Sequence, residues 1–478
     1  VKIMSEVKVN KISPRSGTGL QLGDSGDTIT IPAGATITNS GTAAGFGSTG
    51  EVSWNTTVKT GDFTATSGSG FFVNTAGGAV TVTLPSSPSA GNVVAVSDYN
   101  GSASTNTITI GRNSSNINGS ASDLLITKSN SAIQLVYVDA TTGWQNVTTA
   151  NPSDVTNPFV VATGGTITES GNFKIHTFTG PGTFTVTNAG SSSGSNTVSY
   201  LAVAGGGGGA GDESNGYGAA GGGAGGFRES KASTDSYTAS PLNATSGPTY
   251  NLPVSIQGYP IAVGGGGAAG PNPTSGGSRG VNSTFSSIIS TGGGGGTAGT
   301  AINPASPGGS GGGGAGPAAS NPQGAGGIGN TPPVSPPQGN TGGTARTSGT
   351  KLGGGGGGGA TAVGEPFQAS IPGNTAGDGG AGATTSISAT PTAYGGGGGG
   401  GAFNSVPAGD NTTDGAGGTG GGGPGGQVIP GNSHDAVAGT ANTGGGGGGA
   451  ASNSPSSPGV VNAGAGGSGI VIIRYKFQ

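Results

Sequence analysis

Seven runs of four to seven consecutive glycines, at 205–209, 264–267, 292–296, 311–314, 353–359, 395–401 and 444–449, punctuate the second part of this 478-residue chain. An eighth, at 420–423, runs directly into Pro424. Lacking a Cβ, glycine has weak helix and strand propensity and loses more backbone freedom on ordering than any other residue. The same missing atom lets backbones approach more closely than any side chain allows. Such runs are therefore either flexible linker or segments packed backbone against backbone.

Of the 113 glycines, 87 follow Tyr200, a collagen-like density without a Gly-X-Y period. With 30% apolar and 7% charged residues overall, the second part lacks the aliphatic residues for an ordinary core and also the high charge that marks disorder. The formal net charge is −4, and the cations after residue 200 are Arg228, Lys231, Arg279, Arg346, Lys351, Arg474 and Lys476. That scatter excludes a nucleic-acid partner, which needs clustered Lys and Arg. The absence of cysteine removes disulfides and thiolate metal sites and suits synthesis in a reducing cytoplasm. Residues 1–11 carry lysines but no apolar core of a secretory signal.

Residues 1–50 hold short extended segments such as Val7-Lys8-Val9 and Thr28-Ile29-Thr30-Ile31, too little to bury a core alone. They are read as an N-terminal attachment and oligomerisation segment. Between 51 and 150, β-rich runs at 71–73, 80–84, 92–96, 107–110, 124–127 and 133–138 alternate with Gly, Pro, Ser and Asn, which predicts an antiparallel β-sandwich. Trp54 and Trp144 bracket this module and are expected in or near its core rather than as a sugar-stacking platform. A β connector is expected over 151–203, with His176 a hydrogen-bonded strand residue rather than a metal ligand, since no second ligand lies at metal spacing.

Residues 204–478 form the glycine-rich domain, in which period-two apolar signal returns at 259–263, 285–289 and 470–475. These stretches and Tyr200-Leu201-Ala202-Val203 predict a small β base that feeds the glycine runs and is closed by the strand 470–475. A polyproline-II-type helix has three residues per turn and no internal hydrogen bonds, so its buried N–H and C=O groups need outside partners. If the residues are glycine, neighbouring helices can supply those partners laterally. The fold class expected is thus all-β N-terminal modules followed by a polyglycine II helix sandwich, with almost no α-helix and with loops leaving alternately at two ends.

Tyr200-Leu-Ala-Val-Ala-Gly-Gly-Gly-Gly-Gly, Gly225-Gly-Phe-Arg228, Ser290-Thr-Gly-Gly-Gly-Gly-Gly296 and Gly469-Ile-Val-Ile-Ile-Arg-Tyr475 resemble the glycine-rich C-terminal region of tail-fibre proteins from marine tailed bacteriophages. Val9-Asn-Lys-Ile-Ser-Pro-Arg-Ser-Gly-Thr-Gly and Ile31-Pro-Ala-Gly-Ala-Thr-Ile-Thr-Asn-Ser-Gly are similar to the start of the same proteins, and the stretch from Phe71 to Trp144 resembles a β module of phage fibres. The glycine sandwich also resembles the tip adhesins of T-even-type phages, although this chain carries its own β modules upstream. The resemblance implies a virion tail-fibre adhesin, made in the host cytoplasm without a signal peptide. It implies a homotrimer joined to the virion tail or an adaptor protein through its N-terminus, which contacts a bacterial outer-membrane protein or surface polysaccharide.

In that reading the glycine runs are scaffold and the inserts between them form the binding surface, for aromatic, Ser, Gly and Asn residues suit adaptable contacts. The candidate receptor-binding residues are Tyr217, Tyr237, Tyr250, Phe367, Phe403, Asp410, Asp414 and His434, with Phe227-Arg228 assigned to scaffold. No cofactor motif is present, and no phosphate-binding loop follows a strand. The close acidic pairs Asp212-Glu213 and Asp410 with Asp414 sit among small polar residues with little apolar surface to raise a pKa, which points away from a depolymerase. The alternative is a purely structural virion fibre or capsid-decorating protein without receptor specificity.

Overall fold

The computed structural model describes Thr28 and residues 52–149, 155–192, 194–211, 218–271, 275–298, 305–315, 324–348, 351–370, 373–403, 412–428, 433–451 and 461–478. The chain divides into two compact units, 1–51 and 52–478. Apart from Thr28, the attachment segment expected over 1–50 lies outside the described residues. The second unit is all-β, with several antiparallel sheets and no helix among the described residues.

Its first part is the expected sandwich of two five-stranded sheets. One orders Ser53–Lys59, Ser69–Val73, Val93–Asp98, Ala132–Asp139 and Gly143–Thr149; the other orders Val155–Thr156, Leu124–Ile126, Ile108–Gly111, Val80–Thr83 and Phe63–Thr64. Alternation sends Phe71, Val73, Val80, Val82, Val94, Val96, Ile108 and Ile110 into the space between the sheets. Antiparallel pairs complete both sheets, but the early strands add parallel ladders. The chain alternates between sheets, so Ser53–Lys59, Ser69–Val73 and Val93–Asp98 pair in parallel, as do Phe63–Thr64, Val80–Thr83 and Ile108–Gly111. The expectation for the tryptophans holds for Trp144, which is fully buried, and fails for Trp54. Trp54 is 41% exposed because its edge strand turns it to the outer face of the sheet.

The connector expected over 151–203 is not a separate unit. Val160–Thr163 and Gly182–Ala189 share a sheet with Gly258–Ala262, Ser283–Phe285 and Ile288–Ser290. Thr166–Ser170, Phe173–Phe178 and Thr197–Val203 share the other with Phe227–Ser230 and the last strand, Ile470–Lys476. The physical reason is burial. Phe184, Tyr200, Phe285, Ile473 and Tyr475 from these distant stretches make one core that none of them could form alone. Ile470–Lys476 lies centrally, paired with Phe173–Phe178 on one side and Thr197–Val203 on the other, so it closes the base as expected. His176 is buried and stacks on Tyr475; its Nδ1 is 2.7 Å from the Gly164 carbonyl and its Nε2 3.1 Å from the Tyr475 hydroxyl. Burial holds its pKa below the ordinary imidazole value.

From this base the glycine segments extend as a backbone lattice. Along 204–211 the N–H groups of Gly205, Gly208 and Gly211 donate to Val281, Ser278 and Ser275, those of Gly206 and Gly209 to Gly467 and Gly464, and those of Gly207 and Ala210 to Gly223 and Ala220. Its carbonyls accept from three further segments: Gly205 and Gly208 from Gly293 and Gly296, Gly206 and Gly209 from Gly267 and Gly270, Gly207 and Ala210 from Gly447 and Ala450. Every third residue thus returns to the same neighbour, and six segments surround this one. Residues 353–360 repeat the arrangement, donating to 395–401, 311–314 and 362–365 and accepting from 221–224, 340–343 and 377–380.

A Cβ at Gly207, Gly357, Gly397 or Gly446 would fall well inside contact with a neighbouring backbone carbonyl. Peripheral segments carry side chains, and in three of them the exposed residues stand three apart: Ala325 and Ile328, Thr341 and Thr344, Ala416 and Thr419. The positive-φ glycines within the runs, Gly395, Gly420, Gly421 and Gly444, all stand at run starts, where the chain turns into the lattice. Side chains stitch the lattice to the sheets. Ser283 Oγ accepts from Gly264 N and donates to the Val203 carbonyl, Ser290 Oγ donates to the Ala202 carbonyl, and Gln338 Oε1 accepts from Thr291 N.

Two substitutions separate lattice from linker. Gly397→Ala is expected to cost about 3 kcal/mol or more, as overpacking against backbone that cannot yield. Gly265→Ala, where an added Cβ meets nothing within 4 Å, is expected to leave the melting temperature unchanged or raise stability by up to about 1 kcal/mol. Equal melting temperatures for the two variants in thermal denaturation would contradict the packing described.

Candidate functional site

The lattice has two ends of different character. At one, Ala204 bonds Gly226, Gly469 bonds Gly264, and Gly395 bonds Thr443, next to the β base. At the other, Ala219 bonds Ala450, Thr297 bonds Gly313, Gly314 bonds Gly343, Ala345 bonds Gly324, Gly354 bonds Gly401 and Val461 bonds Ala451. Alanine replaces glycine there, and Ala210, Ala219, Ala298 and Ala450 form a small apolar cluster that ends the lattice. The described residues that border 212–217, 299–304, 316–323, 349–350, 404–411 and 452–460 all belong to this far end.

Short sheets cover part of it. Arg346–Ser348 and Lys351–Gly353 form a hairpin that continues through Ala402–Phe403 to Gln427–Val428. Gln368–Ser370, Gly373–Thr375 and Thr412–Thr413 form another. Each is an extension of a glycine segment, so the lattice fixes where every chain emerges.

The structure separates the candidate residues into groups. Tyr217 and Asp410 lie outside the described residues. Tyr237 is buried near the base, where its ring faces the Arg474 guanidinium at 5.6 Å and the Lys231 ammonium at 5.7 Å. It sits in the long insert that follows Phe227–Ser230, a strand of the base sheet, and the half-buried Tyr250 belongs to the same insert. These two tyrosines are therefore at the opposite end of the lattice from the alanine cluster. Phe367 is at the far end but buried, and a Cβ on Gly353 would meet its ring. Phe403 is placed by its backbone, which pairs with Leu352 and Val428.

Asp414 and His434, twenty residues apart in the chain, are brought together. His434 Nε2 is 3.7 Å from Asp414 Oδ1, with the imidazole exposed and the carboxylate half-buried. An antiparallel bridge holds His434, since Gln427 N donates to the His434 carbonyl and His434 N to the Gln427 carbonyl. Burial, reinforced by the nearby Asp378 charge and opposed by His434, raises the Asp414 pKa above the ordinary carboxylate value. Asp378 Oδ1 accepts from Ala416 N at 2.7 Å, and Asp435 Oδ1 accepts from Asn462 N at 2.7 Å. The result is a polar rim of acceptors beside one imidazole. Asp378 and Asn462 were not singled out from the sequence. A three-residue ruler laid on 376–382 and 461–468 would have placed both on outward rows.

Among the described residues no group of three or more His, Asp or Glu side chains converges to hold a metal ion. A cavity of about 460 Å³ lies at the base-facing end, lined by Pro241, Leu242, Pro337, Asn340, Thr361 and Thr384 among others. It has no charged residue in its walls.

A family model described as a glycine-rich domain matches residues 177–476, and the chain belongs to that family. The match begins inside the strand Phe173–Phe178 and ends at Lys476, so it takes in strands of the base together with the lattice. No curated protein gives a match to the chain.

The raised Asp414 pKa gives a signed expectation. Its stability contribution is complete below the ordinary carboxylate pKa and is lost as pH rises through the raised value. Asp414→Asn should therefore be the more stable protein at about pH 7, with the difference gone by about pH 3.5. Melting curves across that range test it; a variant less stable at neutral pH would show that the His434 contact outweighs burial.

Proposed function

We propose that this member of the glycine-rich domain family is a bacteriophage tail-fibre adhesin whose far-end loops recognise a bacterial surface receptor. The observation that carries the reading is the common exit. Glycine segments from across 204–469 run between a β base and one far end, where the described residues that border six stretches of differing sequence come together. The three-residue return of the hydrogen bonds and the six surrounding neighbours fit polyglycine II helices, and we take the segments to be such helices. A scaffold without side chains leaves recognition to the inserts, which can change without disturbing it.

In this reading Asp414 and His434 belong to the contact rim, with Phe403 beside it, and Tyr217 and Asp410 are contact residues that lie outside the described residues. The receptor is an outer-membrane protein or a surface polysaccharide, and the action is binding rather than catalysis. Copies associate as a homotrimer through the N-terminal segment, which also joins the virion tail or an adaptor protein. The protein is made in the host cytoplasm and works on the virion. The second reading is a structural fibre or capsid-decorating protein, which the regularity of the lattice alone would also serve.

The 478-residue chain added to susceptible bacteria should bind them and block infection by the parent phage. Replacing the inserts at 212–217, 299–304, 316–323, 404–411 and 452–460 with those of a fibre of another host range should transfer binding to the new host. Binding unchanged by that exchange would favour the structural reading. Light scattering should return about three times the 44.2 kDa chain mass; the monomer mass would remove the trimer.

A further inference from the structure

Outside the glycine domain, an exposed aromatic corner stands on the first sandwich. Trp54 lies flat on the outer face of its sheet over Gly70, where an added Cβ would be 2.7 Å from two indole carbons. The glycine leaves room for the indole to approach the backbone closely, and 41% of Trp54 remains exposed. Phe72, on the same face, stacks with it at 4.8 Å between centroids and 29° between planes. Tyr99, 56% exposed, stands at 70° to Phe72 with centroids 6.5 Å apart. The stacked Trp54–Phe72 pair and the edge-on Tyr99 thus form one aromatic corner in which the indole and the phenol ring are both exposed.

We propose that this corner is a saccharide-binding site for a neutral hexopyranose chain. A pyranose has an apolar C–H face ringed by hydroxyls, so it packs against exposed aromatic rings while its edge hydrogen-bonds polar neighbours. The cross-strand positions beside the rings are Ala95 next to Gly70 and Ser97 next to Phe72, followed by Gln134 and Ala132, all uncharged. Nothing in that set matches a phosphate, sulfate or carboxylate. A second copy adding a strand to this edge is disfavoured, because the pairing of Ser53–Lys59 shifts register between Asn55 and Lys59, which bends the edge away from a regular ladder. The site is on the sandwich, so its failure and the failure of the loop reading are separate results.

The chain has two tryptophans and Trp144 is fully buried, so quenchable emission reports on Trp54. The 478-residue chain is titrated with maltoheptaose, cellohexaose and chitohexaose while emission and acrylamide quenching are followed, with calorimetry in parallel. At least one sugar should give a saturable emission change and shield Trp54 from acrylamide. Trp54→Ala and Tyr99→Ala should each weaken calorimetric binding by about tenfold or more; if Trp54→Ala fails to fold, Tyr99→Ser serves instead. No response to any of the three sugars overturns the proposal. So does binding that survives the Tyr99 variants, or shielding that follows protein concentration without sugar, which would assign the corner to a second copy.

Discussion

The glycine domain depends on one interaction, the hydrogen bond between backbones too close to admit a Cβ. Each interior segment sends its N–H groups to three neighbours in turn and receives three others on its carbonyls. Among the described residues the two interior runs 204–211 and 353–360 have no internal backbone hydrogen bonds to fall back on, and each bond adds only about 0.5 to 1.5 kcal/mol net. Ordering glycine costs more than that if the segment stands alone. The lattice is therefore cooperative, and the purity of the interior runs follows from the contact geometry. Where six neighbours crowd a segment every position is small; where one side meets solvent, larger side chains such as Arg279, Ile328 and Val437 are carried.

A lattice without side chains cannot fix its own register by packing, and the β base supplies what it lacks. Phe184, Tyr200, Phe285 and Tyr475 meet at edge-on aromatic geometries, such as 6.1 Å and 89° between Phe184 and Phe285. The buried Arg474 bonds Asp235 through Nε at 3.0 Å and stacks on Phe173, tying the last strand to the long insert. Strands from this core lead straight into 204–211, 263–270, 291–298 and back from 218–226 and 461–469. The base is thus the end that sets the register of the segments.

Much of this was legible in the sequence. The glycine runs, the strands that feed them and the closing strand announced themselves because aliphatic residues are scarce and stand only where the base needs them. Parallel pairing in the first sandwich was not legible, since a strand alternates in the same way whichever direction its neighbour runs. Nor was the merging of 157–203 with the base, because that core is assembled from stretches up to some three hundred residues apart, as between Ala162 and Tyr475. Trp54 and Trp144 have similar local sequence, and only sheet position decides which is buried. Among candidate site residues, Tyr237 looked like a loop aromatic and is packed beneath Arg474, whereas Asp414 and His434 meet through a bridge that no local pattern signals.

Hydrogen exchange followed by mass spectrometry reads the backbone directly. Amides of 353–359 and 395–401 should exchange as slowly as those of Ile470–Lys476, because all are released only when the cooperative unit opens. Exchange of those glycine amides at the rate of an unstructured chain, with the strand still protected, would contradict the lattice and leave the runs as linkers.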